Sequence, residues 1–242
     1  MASNARSPLQ GKTAIITGVG DRGQLGYAIA QQLLAAGARV CVTSRHDDIG
    51  AIAGTLAPDA VGVQYDLASE DDVARLMTTA QQQLGRIDIL VNVAGGLSVI
   101  KPLAETTREE WQREVQRNAE TAFLVSRAAL PQLRASRGCI INFASPAGEK
   151  AVAQLGAYSA AKAGVIALTR AMAIEEAGNG VRVNAIAPGM IDTAQNRAAV
   201  ADPDAVQWVS RAEVASVVVF LASAAAAAIT GQTINVPGKG IT

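Results

Sequence analysis

A chain of 242 residues is long enough to bury a large core and short enough to be one α/β domain. Its 21 Lys and Arg balance 21 Asp and Glu, so no basic field invites nucleic acid. Half the residues are apolar, but charges and glycines break every apolar stretch well before membrane-spanning length.

Residues Met1 to Gln10 carry one Arg and no apolar run, so they read as a loose lead-in, not a signal peptide. Lys12 to Thr17 is a β-branched run with the pattern of a buried strand. A glycine-rich turn, Gly18-Val19-Gly20-Asp21-Arg22-Gly23-Gln24-Leu25-Gly26, follows directly, and Tyr27 to Ala36 is helical up to Gly37. Strand, glycine turn and helix in that order let a backbone approach a pyrophosphate at a helix N-terminus. The second strand, Arg39 to Thr43, ends at Ser44-Arg45-His46. An acid at that point would favour the ribose 2′-OH of NAD; an arginine accommodates a 2′-phosphate. Arg45, with Arg22 from the glycine turn, therefore favours NADP(H), with NAD(H) as the alternative.

Val61 to Tyr65 is the third strand and delivers Asp66-Leu67. Asp66 either accepts from an adenine amino group or caps the helix that starts after Ser69 and runs to about Leu84. Ile87 to Val93 is the fourth strand, followed by Ala94-Gly95-Gly96, small residues that leave room for a flat ligand. Thr107 to Leu130 is a long helix with Trp111, Val115, Ala119, Ala122 and Val125 near one stripe. Asn118 falls among those apolar positions and, if buried, needs partners. Cys139 to Phe143 is the fifth strand and delivers Ser145. The two cysteines, Cys41 and Cys139, fall within strands, form no Cys-x-x-Cys, and His46 is the sole histidine. They read as free thiols in a reducing compartment, the cytoplasm, and no metal site is expected.

Ala157 to Ala173 is Ala-rich and helical, closed by Gly178 and Gly180. On it Tyr158 and Lys162, four apart, share a face. A cation beside the phenol should pull down its ordinary pKa of about 10 and make it a usable acid. Taken alone, Tyr-x-x-x-Lys is common by chance. Val181 to Ala187 is the sixth strand, followed by the forced turn Pro188-Gly189; Ala212 to Ala228 is the last helix and Gln232 to Val236 the seventh strand. The alternation predicts a single-domain Rossmann fold over residues 1–242. Seven parallel strands would be doubly wound, with helices on both faces and ligands at the strands' carboxyl ends.

From about Gly11 to Gly240 the chain resembles the short-chain dehydrogenase/reductase family, in particular its 3-oxoacyl-carrier-protein reductase-like members. The motifs are Thr17-Gly18…Gly26, Asn92-Val93-Ala94-Gly95, Asn118, Ser145, Tyr158-x-x-x-Lys162 and Pro188-Gly189-x-x-x-Thr193. The resemblance implies a Tyr158 acid/base, a Lys162 that lowers its pKa and holds the nicotinamide ribose, and a Ser145 that positions the substrate oxygen. It also implies an Asn118 that supports a proton relay through water. Gly18, Arg22, Gly23, Leu25, Gly26, Ser44, Arg45, Asp66, Leu67, Asn92, Ala94 and Gly95 would hold the pyrophosphate and adenosine half. Pro188, Gly189, Ile191 and Thr193 would meet the nicotinamide. Gly96, Ser98, Ala147, Gln154, Leu155 and Met190 would face a small-molecule or carrier-bound carbonyl substrate, and a homo-oligomer, dimer or tetramer, is implied.

Three features depart from the family pattern. The glycine turn is longer, with Gln24 where a glycine is expected; Val93 replaces the second Asn of an Asn-Asn pair; and Ala194 to Ser210 is a short substrate lid, in which Ala198 to Ala201 could form one turn. A short lid suits an open cleft and a bulky or carrier-bound substrate, or reduced activity. The rival readings are an NAD-dependent alcohol dehydrogenase of the same family and a non-catalytic binding or scaffold protein on the same fold.

Overall fold

A computed structural model describes residues 7–238. Seven strands, β1 (Thr13–Thr17), β2 (Arg39–Ser44), β3 (Val61–Gln64), β4 (Ile89–Asn92), β5 (Cys139–Phe143), β6 (Arg182–Pro188) and β7 (Thr233–Val236), form one sheet. Their order is β3-β2-β1-β4-β5-β6-β7 and every pairing is parallel. The order reverses between β1 and β4, which opens a crevice at the carboxyl ends of those strands.

The sheet is covered on both faces, which is why strands such as Ala14–Ile16 and Ile89–Val91 are apolar without alternation. One face packs on α1 (Leu25–Ala35) and α8 (Arg211–Ala222), and its core holds Ile16, Val40, Ile29, Leu33, Val214 and Val218. The other packs on α3 (Glu70–Leu84), α5 (Thr121–Ser136) and the end of α6 (Gly156–Glu176), around Ile15, Leu76, Leu90, Leu133 and Met172. Arg134 of α5 donates two hydrogen bonds, of 2.8 and 2.6 Å, to buried Glu176 of α6 and locks the two helices together. No helix among the described residues is long and apolar enough to cross a membrane.

Several elements differ from the sequence reading. The described part of the lead-in, residues 7–10, is a turn: Leu9 is buried and its N–H reaches Ala36 O at 3.0 Å. A helix not expected there, α2 (Ile49–Leu56), packs Ile49 and Ala53 so tightly on β3 that a side chain at Gly62 would meet the Ile49 carbonyl. The long central helix is α4 (Arg108–Val115), a π-helical segment (Gln116–Glu120) and α5. The last of these runs on through Pro131 to Ser136; that proline is exposed, on the solvent side of the helix. The last helix stops at Ala222, where Ser223 turns extended and its side chain accepts from Ala225 N; only a 3₁₀ turn, Ala224–Ala226, follows.

Between β6 and α8, the lid contains α7 (Ala194–Ala198) and a 3₁₀ turn, Pro203–Ala205. Its helical turn thus begins four residues earlier than expected, because Thr193 caps it by accepting from Asn196 N. The lid is closed at its root: Ile191 bridges Val209, Asp192 N reaches Val209 O, and Val209 N reaches Met190 O, both at 2.9 Å.

Candidate active site

The glycine turn after β1 folds as the sequence needs it to. Gly18 has φ +68°, and a Cβ there would lie 2.6 Å from Ala94 Cα, so the turn lies directly on the exit of β4. Thr17 reinforces the join, its Oγ1 accepting from Ala94 N at 3.1 Å. At Gly26 a Cβ would lie 2.5 Å from Gly18 O, so the first turn of α1 is pressed against the same loop. Gln24 stands at the N-cap of α1 without a side-chain cap bond; its amide instead folds over Gly20. The leading N–H groups of α1 are therefore not capped by a side chain, the condition under which a helix start accepts a phosphate. Gly23 donates its N–H to Asp21 Oδ1 at 2.7 Å, and Leu25 is buried at the helix start. Arg22 is exposed; its carbonyl accepts from Arg211 Nη1 at 2.7 Å.

At the end of β2, Ser44 is buried and its Oγ accepts from His46 N, which shapes the turn that exposes Arg45. Arg45 lines a hollow of about 270 Å³ together with Gln64, Tyr65, Asp66 and Asp72. The helix cap that Asp66 could have provided belongs to Ser69, which accepts from Asp72 N. Asp66 accepts from Ala68 N at 3.1 Å and keeps an exposed carboxylate in the hollow; Leu67 behind it is buried.

Asn92 is placed differently from the rest. Its side chain is buried and donates to Ser126 Oγ and to Asn142 Oδ1, both at 2.9 Å; Asn142 in turn donates to Thr169 Oγ1 at 2.9 Å. The network ties β4 and β5 to α5 and α6 and leaves only the Asn92 backbone near the crevice. Beyond it, Ala94, Gly95 (φ +150°) and Gly96 (φ +142°) form a backbone floor, and a side chain at Gly95 would meet Asn118 Oδ1 and come within 3.4 Å of Lys162 Nζ.

Asn118 lies within the π-helical segment, which offsets it from the Trp111 stripe; Trp111 is exposed and Glu114 is buried instead. The Asn118 amide grips Gly96 from both sides, Oδ1 accepting from Gly96 N at 2.9 Å and Nδ2 donating to Gly96 O at 3.0 Å. Ser145 opens a 3₁₀ turn, Pro146–Gly148, in which Ala147 is buried. A Cβ at Gly148 would lie 2.7 Å from the Lys162 carbonyl carbon, so this turn sits directly on α6 and brings Ser145 to Tyr158. The Ser145 hydroxyl lies close enough to the Tyr158 phenol to pull its pKa down. Lys162 is buried, donates to Phe143 O at 2.7 Å, and lies 5.8 Å from the centroid of the Tyr158 ring.

The electrostatics correct one expectation. Burial pushes the Tyr158 phenol above its ordinary value, and the Ser145 hydroxyl only partly opposes that. The Lys162 ammonium donates to the Phe143 carbonyl, and burial pushes its own pKa down to about 8. The phenol is thus held protonated at neutral pH, ready to donate. The remaining residues fall around this centre. Gln154, with φ +66°, accepts from Lys101 N through its carbonyl and has an exposed side chain; Leu155 precedes α6. Ser98 is hydrogen-bonded to Glu114, and Met190 is exposed. Pro188 ends β6, Gly189 N reaches Val236 O at 2.9 Å, Ile191 is fixed by its bridge and Thr193 caps α7.

Sequence reasoning missed Asn142 and Glu114, and named Thr17 only as part of the glycine motif without its bond to Ala94. Glu114 could have been found as the residue one helical turn before Asn118, but an acidic residue between Arg113 and Val115 reads as solvated.

A family model described as Enoyl-(Acyl carrier protein) reductase matches residues 18–241. The chain is 37% identical over 240 residues to the 3-oxoacyl-(acyl-carrier-protein) reductase FabG of Vibrio harveyi, with 95% of this chain and 97% of the relative covered. It is 35% identical to an L-fucose dehydrogenase of Oryctolagus cuniculus, covering 93% and 83%. It is 33% identical to a meso-2,3-butanediol dehydrogenase of Serratia marcescens, covering 94% and 93%.

Proposed function

We infer the activity from one premise: this chain belongs to the short-chain dehydrogenase/reductase family, oxidoreductases that act on CH–OH and C=O groups. We propose that it reversibly transfers a hydride between NADP(H) and a carbonyl compound or secondary alcohol. The observation that carries this is the convergence of Ser145, Tyr158, Lys162 and Asn118 beside a glycine floor at the carboxyl ends of β1, β4 and β5.

A dinucleotide fits the donor set: the uncapped start of α1, the floor of Gly18, Gly95 and Gly96, and the Arg45 hollow with Asp66. When bound, its nicotinamide supplies the hydride. The chain's own residues handle the proton. Tyr158 Oη donates it to the carbonyl oxygen, and Ser145 Oγ donates a hydrogen bond to the same oxygen as negative charge grows there. Lys162 supplies the positive charge that stabilises the phenolate left behind. Asn118 holds Gly96 and so keeps the floor in place beside Lys162. Exposed Leu97, Ile100, Leu103 and Met190 along the segments next to this centre suit an acyl or otherwise apolar substrate, and a carrier-bound 3-oxoacyl group belongs in the test panel beside sugars and diols. Exposed Trp111 and Phe123 support assembly into dimers or tetramers through α4 and α5.

The test is a calorimetric titration with NADPH and NADH, followed by nicotinamide absorbance assays over 3-oxoacyl thioesters, simple ketones and diols. Tight NADPH binding and turnover of at least one substrate class are expected; binding without turnover across the panel would favour the scaffold reading. Arg45→Ala is expected to weaken NADPH about tenfold, one charge-assisted phosphate contact, and to leave NADH unchanged. Equal effects on both cofactors, or a native preference for NADH, would remove the 2′-phosphate assignment.

A further inference from the structure

Glu114 is fully buried at 0% exposure, one helical turn before Asn118, and no ion pair forms on it among the described residues. Its carboxylate is nevertheless held by three donors. Oε1 accepts from Ser98 N at 2.7 Å and from Ser98 Oγ; Oε2 accepts from Asn118 Nδ2 at 3.2 Å. The same Asn118 amide grips Gly96 on both sides. One carboxylate thereby fixes the amide and the whole 96–98 segment, which borders Lys162 through Gly95. A buried carboxylate without an ion pair is costly unless its field is used. The charged groups whose fields meet at this centre are Lys162 of α6 and Arg117 of the π-helical segment, with the Tyr158 phenol beside them. Among the described residues Lys162 has one hydrogen bond, to a neutral carbonyl, and the Glu114 carboxylate stands behind the Asn118 amide that borders it.

We propose that Glu114 is a positioning residue of this site: its carboxylate clamps Asn118 and Ser98, and through them the Gly95–Gly96 floor that borders the Lys162 ammonium. Burial and Arg117 both push Lys162 toward the neutral amine, and Glu114 opposes them. The proposal rests on the catalytic reading of Tyr158 and Lys162, but it can be measured without turnover. The chain has five lysines, at 12, 101, 150, 162 and 239, so ε-¹³C-lysine labelling resolves them, with Lys162 assigned by its loss in Lys162→Arg. In cofactor-free protein the Lys162 resonance is expected to titrate near pH 8. In Glu114→Gln the midpoint should move acidward by about one pH unit, and the alkaline limb of the carbonyl-reduction rate should move with it. Glu114→Asp, which retains the charge at a greater distance, should move the midpoint in the same direction but less. An unmoved Lys162 midpoint in Gln, or in Asp where circular dichroism shows the Gln variant unfolded, overturns the proposal. A midpoint that moves in a protein without turnover would sink the catalytic reading and leave the coupling standing; normal turnover with an unmoved midpoint sinks Glu114 alone.

Discussion

Replacing Tyr158 with phenylalanine is expected to lower kcat for carbonyl reduction about a thousandfold, within the range for loss of a general acid, with cofactor affinity nearly unchanged. The ring is half-buried against Lys162 and keeps its place without the hydroxyl, so the substitution removes the proton and little else. Ser145 would still meet the substrate oxygen, but nothing would neutralise the alkoxide as the hydride arrives. Steady-state rates, together with NADPH titration of the same variant, check both halves. Turnover within a few-fold of the native rate would show that the proton comes from elsewhere.

A second large effect is expected from Gly18→Ala, a methyl group far from any proton transfer. Its φ of +68° disfavours alanine, and the new Cβ would stand 2.6 Å from Ala94 Cα and 2.7 Å from Ala94 N. Both neighbours are backbone, fixed in turn by Thr17, so no rotamer change relieves the clash. Strain and overpacking together should destabilise the fold by about 2–4 kcal/mol, a fall in Tm of about 5–15 °C. NADPH and NADH binding should be lost together, because the floor under both is displaced. Gly50→Ala and Gly54→Ala are the controls: each sits in α2 with nothing within 4 Å of the new methyl, and each should stabilise by about 0.5–1 kcal/mol. Thermal melts and calorimetric titration separate the cases; a Gly18→Ala protein that melts and binds like the native one would show that the β1 turn is not the floor of the cofactor site.

The sheet was legible because each strand is a β-branched run that ends at glycine, proline or a polar turn. Parallel burial on both faces removes the alternation that would otherwise confuse the reading. The glycines were legible for the same reason: at Gly18 and Gly26 the backbone leaves no room for any other residue. Features that depend on partners distant in sequence were not. The eight residues of α2 include two glycines and have no side-chain cap, so their local propensity is poor; the contact of Ile49 and Ala53 with β3 decides the matter. The π-helical segment leaves no composition signal, and it shifts the inward face from Trp111 to Glu114. Asn92 stands where a ligand contact was expected, yet Ser126 and Asn142, 34 and 50 residues away, claim its amide. The Tyr158 and Lys162 spacing gave their shared face, but not the burial that moves both pKa values against the simple pairwise expectation.

Lys162 also acts on the domain as a whole. Its native pKa of about 8 lies below the ~10.4 of a free lysine, so between those pH values the unfolded chain binds the proton that the folded chain releases. Conformational stability therefore climbs with alkalinity across that interval, and below it the native state bears the full desolvation penalty of an interior cation. The domain thus tolerates a standing thermodynamic defect at a position where hydrocarbon would have made a sturdier protein.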